Sequence, residues 1–142
     1  MVALGQSTDR EGWIQISAEV TRLYRAGKFS EAAVIAEKAL ALAERSFGAD
    51  HLLTGASLNS LADLYRNQGL YAKAEPMYLR ALAIRERSLG EAHPLIGMSL
   101  NNLARLYKDQ GAYGKAEPLL LRALEISERA LGSDHPDTGI SL

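Results

Sequence analysis

The chain has 142 residues, a formal net charge of −1 and no cysteine. That length supports one shared core rather than two separate domains. The near-neutral charge excludes a broad nucleic-acid footprint, and the lack of thiols excludes disulfides, zinc–thiolate sites and a cysteine nucleophile.

The opening segment, MVALGQSTDREGW, has neither a basic leader nor a long apolar run, so it does not read as a signal peptide. No stretch approaches the roughly 18 unbroken apolar residues of a membrane span. The chain is therefore expected to be cytoplasmic, without a membrane partner. Residues 1–9 are assigned to an N-terminal tail.

From there the sequence repeats itself. Residues 48–89 and 90–131 align without a gap, with more than half of the positions identical and a period of about 42 residues. A degenerate copy occupies residues 10–47, and residues 132–142 begin a fourth that stops almost at once. Internal repetition of this length signals an array of stacked supersecondary units.

Each unit reads as two helices. In the first unit Ile16, Val20 and Leu23 fall at helical spacing. Glu19 and Arg22 stand where the later units have Leu61 and Leu64, then Leu103 and Leu106. Charges on that outward flank suit a solvated N-terminal cap, closed at one end by Trp13. In the second unit Leu58, Leu61, Ala62 and Tyr65 form the first apolar face, and Ala74, Tyr78, Ala81 and Leu82 the second. Gly69 and Gly90 are the expected stops. In the third unit Leu100, Leu103, Ala104 and Tyr107 are followed by Ala116, Leu120, Ala123 and Leu124, with stops at Gly111 and Gly132. The alanines let helices approach closely while leucine and tyrosine fill the gaps. Pro94 and Pro136 suit a first helical turn. Pro76 and Pro118, just inside second helices, predict a slight bend rather than a break.

The order Leu100, Leu103-Ala104, Tyr107, Gly111, Tyr113, Ala116, Leu120, Ala123 resembles the tetratricopeptide repeat. The longer unit, with phrases such as LNNLARLY and YGKAEPLLLRALEI, is similar to the 42-residue variant of kinesin light chains. The resemblance covers essentially everything from Trp13 onward. It implies an all-α, right-handed superhelical solenoid of antiparallel helix pairs, with a concave groove that binds a peptide segment or helix of a partner protein.

The first helices carry a polar stripe opposite the core: Asn59, Asp63, Arg66 and Asn67 in the second unit, and Asn101, Arg105, Lys108 and Asp109 in the third. Ile14, Ser17, Thr21, Tyr24 and Arg25 occupy the matching places in the first. The resemblance places these residues along the groove. Asparagine amides can hold a peptide backbone, and Arg66, Arg105 and Lys108 favour an acidic ligand, tempered by Asp63 and Asp109. A merely solvated face has the same composition. The clamp for a C-terminal carboxylate found in chaperone-binding relatives is not matched, because Ser17, Thr21, Ser60, Met98 and Asn102 stand where Lys, Asn, Asn, Lys and Arg are wanted.

His51, His93 and His135 recur once per unit. Stacked helix pairs would hold them on the order of 10 Å apart, too far to share a metal, so helix-start caps are the expectation. No phosphate loop, nucleophile elbow or two-histidine helix is present, so no cofactor, metal or turnover is expected. Two alternatives stay open beside partner binding. The chain could be the regulatory arm of a larger signalling enzyme, or a self-assembly module. In the latter, Leu119, Leu120, Leu121, Leu124 and Ile126 expose an uncapped C-terminal face through which copies associate. The unfinished fourth unit reads as an excerpt from a longer array.

Overall fold

The computed structural model describes residues 2–134, with side chains described for residues 8–132. The start of the fourth unit, with His135, Pro136, Ile140 and Leu142, lies outside the described residues. Among the described residues six helices follow one another: α1 Val2–Arg25, α2 Phe29–Phe47, α3 Leu52–Asn67, α4 Tyr71–Leu89, α5 Pro94–Asp109 and α6 Tyr113–Asp134. Among the described residues there is no strand, and no helix is long and apolar enough to cross a membrane. The expected all-α repeat of helix pairs is what forms.

Local chemistry sets the helix ends. His51 and His93 are N-caps whose Nδ1 accepts the backbone N–H two residues on, from Leu53 at 3.0 Å and Leu95 at 3.1 Å. Each cap satisfies a donor that the first helical turn leaves orphaned. Pro94 then sits in the first turn of α5, where a missing N–H costs nothing. Within each hairpin the turn is a Schellman closure. Leu70 N–H donates to Tyr65 O at 2.8 Å and Gly69 N–H to Arg66 O at 3.0 Å, with Gly69 at φ +78°. Ala112 and Gly111 repeat that pattern onto Tyr107 and Lys108.

Two boundaries differ from expectation. The segment assigned to a tail continues α1 back to Val2. No proline interrupts it, and just after it Arg10 lies over the Phe47 ring of α2 at 5.7 Å. Gly132 does not stop α6, which runs on to Asp134. Glycine permits a left-handed residue but does not impose one. Both α4 and α6 pass through their prolines, Pro76 and Pro118, unbroken.

The chain forms two compact units, Met1–Ile84 and Arg85–Leu142, and the division falls inside α4. In the first unit α2 is an alanine helix. Ala32, Ala33, Ala36, Ala39 and Ala43 are all buried and leave room for Leu58, Leu61 and Leu64 of α3, each at most 1% exposed. Trp13 Nε1 donates to Ser57 Oγ at 2.7 Å, joining α1 to α3. Gly55 admits α4 so closely that a Cβ there would stand 3.3 Å from Ile84 Cγ2. Buried Thr54 finds its acceptor in Gly48 O at 2.6 Å. At the outer flank of α1, Arg22 Nε donates to Glu19 at 2.9 Å; that hydrogen bond holds the Glu19 carboxyl below its usual range and raises Arg22. An exposed ion pair therefore takes the place of the buried leucines of the later helices.

In the second unit α5 and α6 enclose Ile96, Leu100, Ala104, Ala116, Ala123 and Ile126. Gly97 plays the part of Gly55 against Ile126, at a looser 3.7 Å. Arg85 reaches from the end of α4 to Ser99 Oγ at 2.8 Å and Leu95 O at 3.2 Å. Ile126 turns inward, whereas Leu120, Leu121 and Leu124 are 37%, 59% and 55% exposed.

Candidate functional site

Residues 59, 63, 66 and 67 share a side of α3, as helical spacing requires. The structure gives them different roles. Asn59 is buried, at 7% exposure. Asp63 and Arg66 are half-buried. The Tyr78 hydroxyl, fully buried on α4, donates to Asp63 Oδ1 and accepts from Arg66 Nε at 3.4 Å. Burial, and then the negative charge of Asp63, push the phenol far above its ordinary range, so it remains a donor. Asn67 is exposed, and its Nδ2 donates to Tyr24 Oη at 3.1 Å and to Asp63 O at 2.8 Å.

Between α1 and α3 lies a groove of about 300 Å³, lined by Val20, Thr21, Tyr24, Arg25, Ser60, Asp63 and Leu64. Its floor is apolar, because Val20 and Leu64 are buried. Hydroxyls of Thr21 and Ser60 contribute to its lining. Tyr24 forms one wall, steadied edge-on by Phe29 at a centroid distance of 5.4 Å. A groove of this kind can seat an apolar side chain while polar groups take the flanking backbone. Ser60 and Leu64 were not among the site residues read from the sequence, and Tyr78 was read only as core. The one available signal was that the next repeat has Leu120 in the place of Tyr78.

In the second unit Asn101, Arg105 and Lys108 are all exposed on α5. With Leu120 where α4 has a phenol, no hydroxyl bridge forms. Arg105 and Lys108 are without an ion-pair partner among the described residues. Lys115, by contrast, lies over the Tyr107 ring at 5.5 Å, as Lys73 lies over Tyr65 at 5.4 Å one repeat earlier. Asn101 also borders an apolar opening of about 390 Å³ with Pro94, Gly97, Met98 and Leu131. Tyr65 in the first unit donates to Glu37 at 2.6 Å, and burial with that bond pushes its phenol up to about 12. Among the described residues no group of three or more His, Cys, Asp or Glu is placed to hold a metal ion.

The family model of the tetratricopeptide repeat matches residues 22–87, 58–129 and 95–142. Of solved structures, a Podosopora anserina protein of kinesin light chain type with nearly identical TPR-like repeats is similar at 27% identity and a TM-score of 0.76. The match covers 87% of this chain and 59% of that one. BtubC (BKLC) from P. vanneervenii is similar at 29% identity and a TM-score of 0.72, over 80% of this chain and 45% of that one. The chain thus spans about half the length of these relatives. No curated protein sequence matches it. The repeated helix pairs, their glycine turns and these matches agree: the chain belongs to the tetratricopeptide repeat family, of the kinesin light chain-like kind.

Proposed function

We propose that this chain is a protein-interaction scaffold that binds an extended segment or helix of a partner, with a preference for acidic segments. Tetratricopeptide repeats generally mediate contacts between proteins and typically do no catalysis. In the first unit the α1–α3 groove offers an apolar floor for an anchoring side chain, and Thr21 and Ser60 in its lining offer hydroxyl groups for the backbone beside it. In the second unit Asn101, Arg105 and Lys108 offer an amide and two cations on one exposed helix face.

The observation that carries the acidic preference is a contrast between repeats. Tyr78 engages both Asp63 and Arg66, so those two charges are held within the fold. Arg105 and Lys108, at the matching positions one repeat later, have no such phenol and stay available to carboxylates.

Fluorescence anisotropy with a panel of labelled peptides, matched in length and varied in charge, tests this. Acidic members should bind more tightly than basic ones, and binding should weaken with salt. Arg105→Ala with Lys108→Ala should weaken the acidic members roughly tenfold without loss of helicity. Equal binding of acidic and basic peptides, or no effect of the double substitution, would remove the charge preference and with it the role given to α5.

A further inference from the structure

Asn67 of α3 and Tyr24 of α1 are hydrogen-bonded to each other, and the direction of that bond is fixed. The Asn67 amide nitrogen donates to Asp63 O at 2.8 Å, and a carbonyl only accepts, so the side-chain amide has one orientation. Its second N–H donates to Tyr24 Oη at 3.1 Å. Both donors of Asn67 are thereby used. Two groups are left over: Asn67 Oδ1, an acceptor, and the hydroxyl proton of Tyr24, a donor. Neither has a partner among the described residues.

The repeat pattern does not dictate this pair. One repeat later Arg66 stands in the place of Tyr24 and Asp109 in the place of Asn67. Tyr24 is 38% exposed, lines the α1–α3 groove and is steadied by Phe29. The groove wall thus presents a donor and an acceptor side by side.

Three ligand chemistries separate on that pattern. A carboxylate has acceptors only, so it would set an oxygen against Asn67 Oδ1 with no proton between them. A helix has consumed its own backbone N–H and C=O groups. An extended residue presents its N–H and C=O together on one edge, as it does towards a neighbouring strand. We infer that Tyr24 and Asn67 read the backbone of one extended residue of the partner segment: Tyr24 Oη donates to its carbonyl, and Asn67 Oδ1 accepts its N–H. This rests on the peptide-binding reading above and decides between its two forms, because the first unit then takes an extended segment and not a helix. The apolar floor of Val20 and Leu64 receives an adjoining side chain of the same segment.

The probe is a fluorescein-labelled peptide of glutamate and serine around one leucine, followed by anisotropy. An Asn or Gln side chain carries the same donor and acceptor as the backbone, so the probe contains neither. A series of single backbone esters replaces each N–H by oxygen in turn. One position, at or beside the leucine, should weaken binding roughly fivefold to tenfold, while the others change little. Asn67→Ala should abolish the penalty at that position. Tyr24→Phe keeps the ring on Phe29 and should weaken the unmodified peptide by a similar factor, a readout that stands by itself if Asn67→Ala fails to fold. A flat ester series in a chain that still prefers acidic peptides would overturn the backbone-reading pair alone, as would an ester penalty that persists in Asn67→Ala. A stapled helical form of the peptide that binds as tightly as the linear one would overturn it too. A position-specific ester penalty without any charge preference would support the pair and remove only the acidic preference.

Discussion

The hydroxyl of Tyr78 is buried against α3, where it donates to the Asp63 carboxylate and accepts from Arg66. One phenol thereby decides that two charges on α3 serve the fold. Tyr78→Phe keeps the ring and removes that bridge. Loss of a buried hydrogen bond to a charged group should cost about 1.5–3 kcal/mol, read as a lower urea midpoint with an unchanged slope. A stability equal to that of the parent would mean that Asp63 and Arg66 are satisfied without the phenol.

Gly55 and Gly97 occupy the same place in successive repeats, yet their clearances differ, at 3.3 Å to Ile84 and 3.7 Å to Ile126. Both lie inside helices, where alanine is favoured over glycine by about 0.5–1 kcal/mol. Gly97→Ala should realise most of that gain, since 3.7 Å is an ordinary contact. At Gly55 the added methyl presses on Ile84, itself only 2% exposed, so Gly55→Ala should fall below Gly97→Ala by about 1 kcal/mol. Parallel denaturant titrations of the two variants decide it. Equal gains would show that Ile84 yields freely.

Trp13 is the sole tryptophan, and its indole N–H is held by Ser57 at 2.7 Å. Its fluorescence therefore reports the seating of α1 on α3. Ser57→Ala leaves the indole without that acceptor and should cost about 1–2 kcal/mol. The emission should also shift to the red, because α1 loosens before the remaining helices unfold. An unchanged spectrum and midpoint would remove the anchoring role given to Trp13.

Alkaline pH probes the tyrosines. Burial and the Glu37 carboxylate raise the Tyr65 phenol from 10.0 to about 12, and Tyr78 is raised as well. The folded chain therefore holds these protons more tightly than the unfolded one. The stabilisation is complete below pH 10 and is lost as pH rises through about 12, because the unfolded state ionises first. Denaturant titrations from pH 8 to 11.5 should show stability falling above pH 10, and falling less steeply in Tyr65→Phe. Superimposable pH profiles for the two chains would contradict the raised Tyr65.

What was legible from residue order alone was whatever depends on near neighbours. The repeat period, the helix pairs, the His51 and His93 caps and the Schellman turns at Gly69 and Gly111 all arise from groups within a turn or two of each other. Their signals therefore survive in one dimension. The charged outer flank of α1 was legible for a similar reason, since a substitution against the repeat is visible by comparison with the other copies. What only the tertiary structure decided was which side chains remain accessible. Asn59 and Asn101 are the same residue in the same register, yet one is buried and the other exposed. Asp63 and Arg66 look like ligand-facing charges until the hydroxyl of Tyr78, from another helix, claims both. Exposure and pairing are set by what a neighbouring helix brings close in space; the exchange of Tyr78 for Leu120 between copies is visible in the sequence, but which side chains the hydroxyl reaches is not.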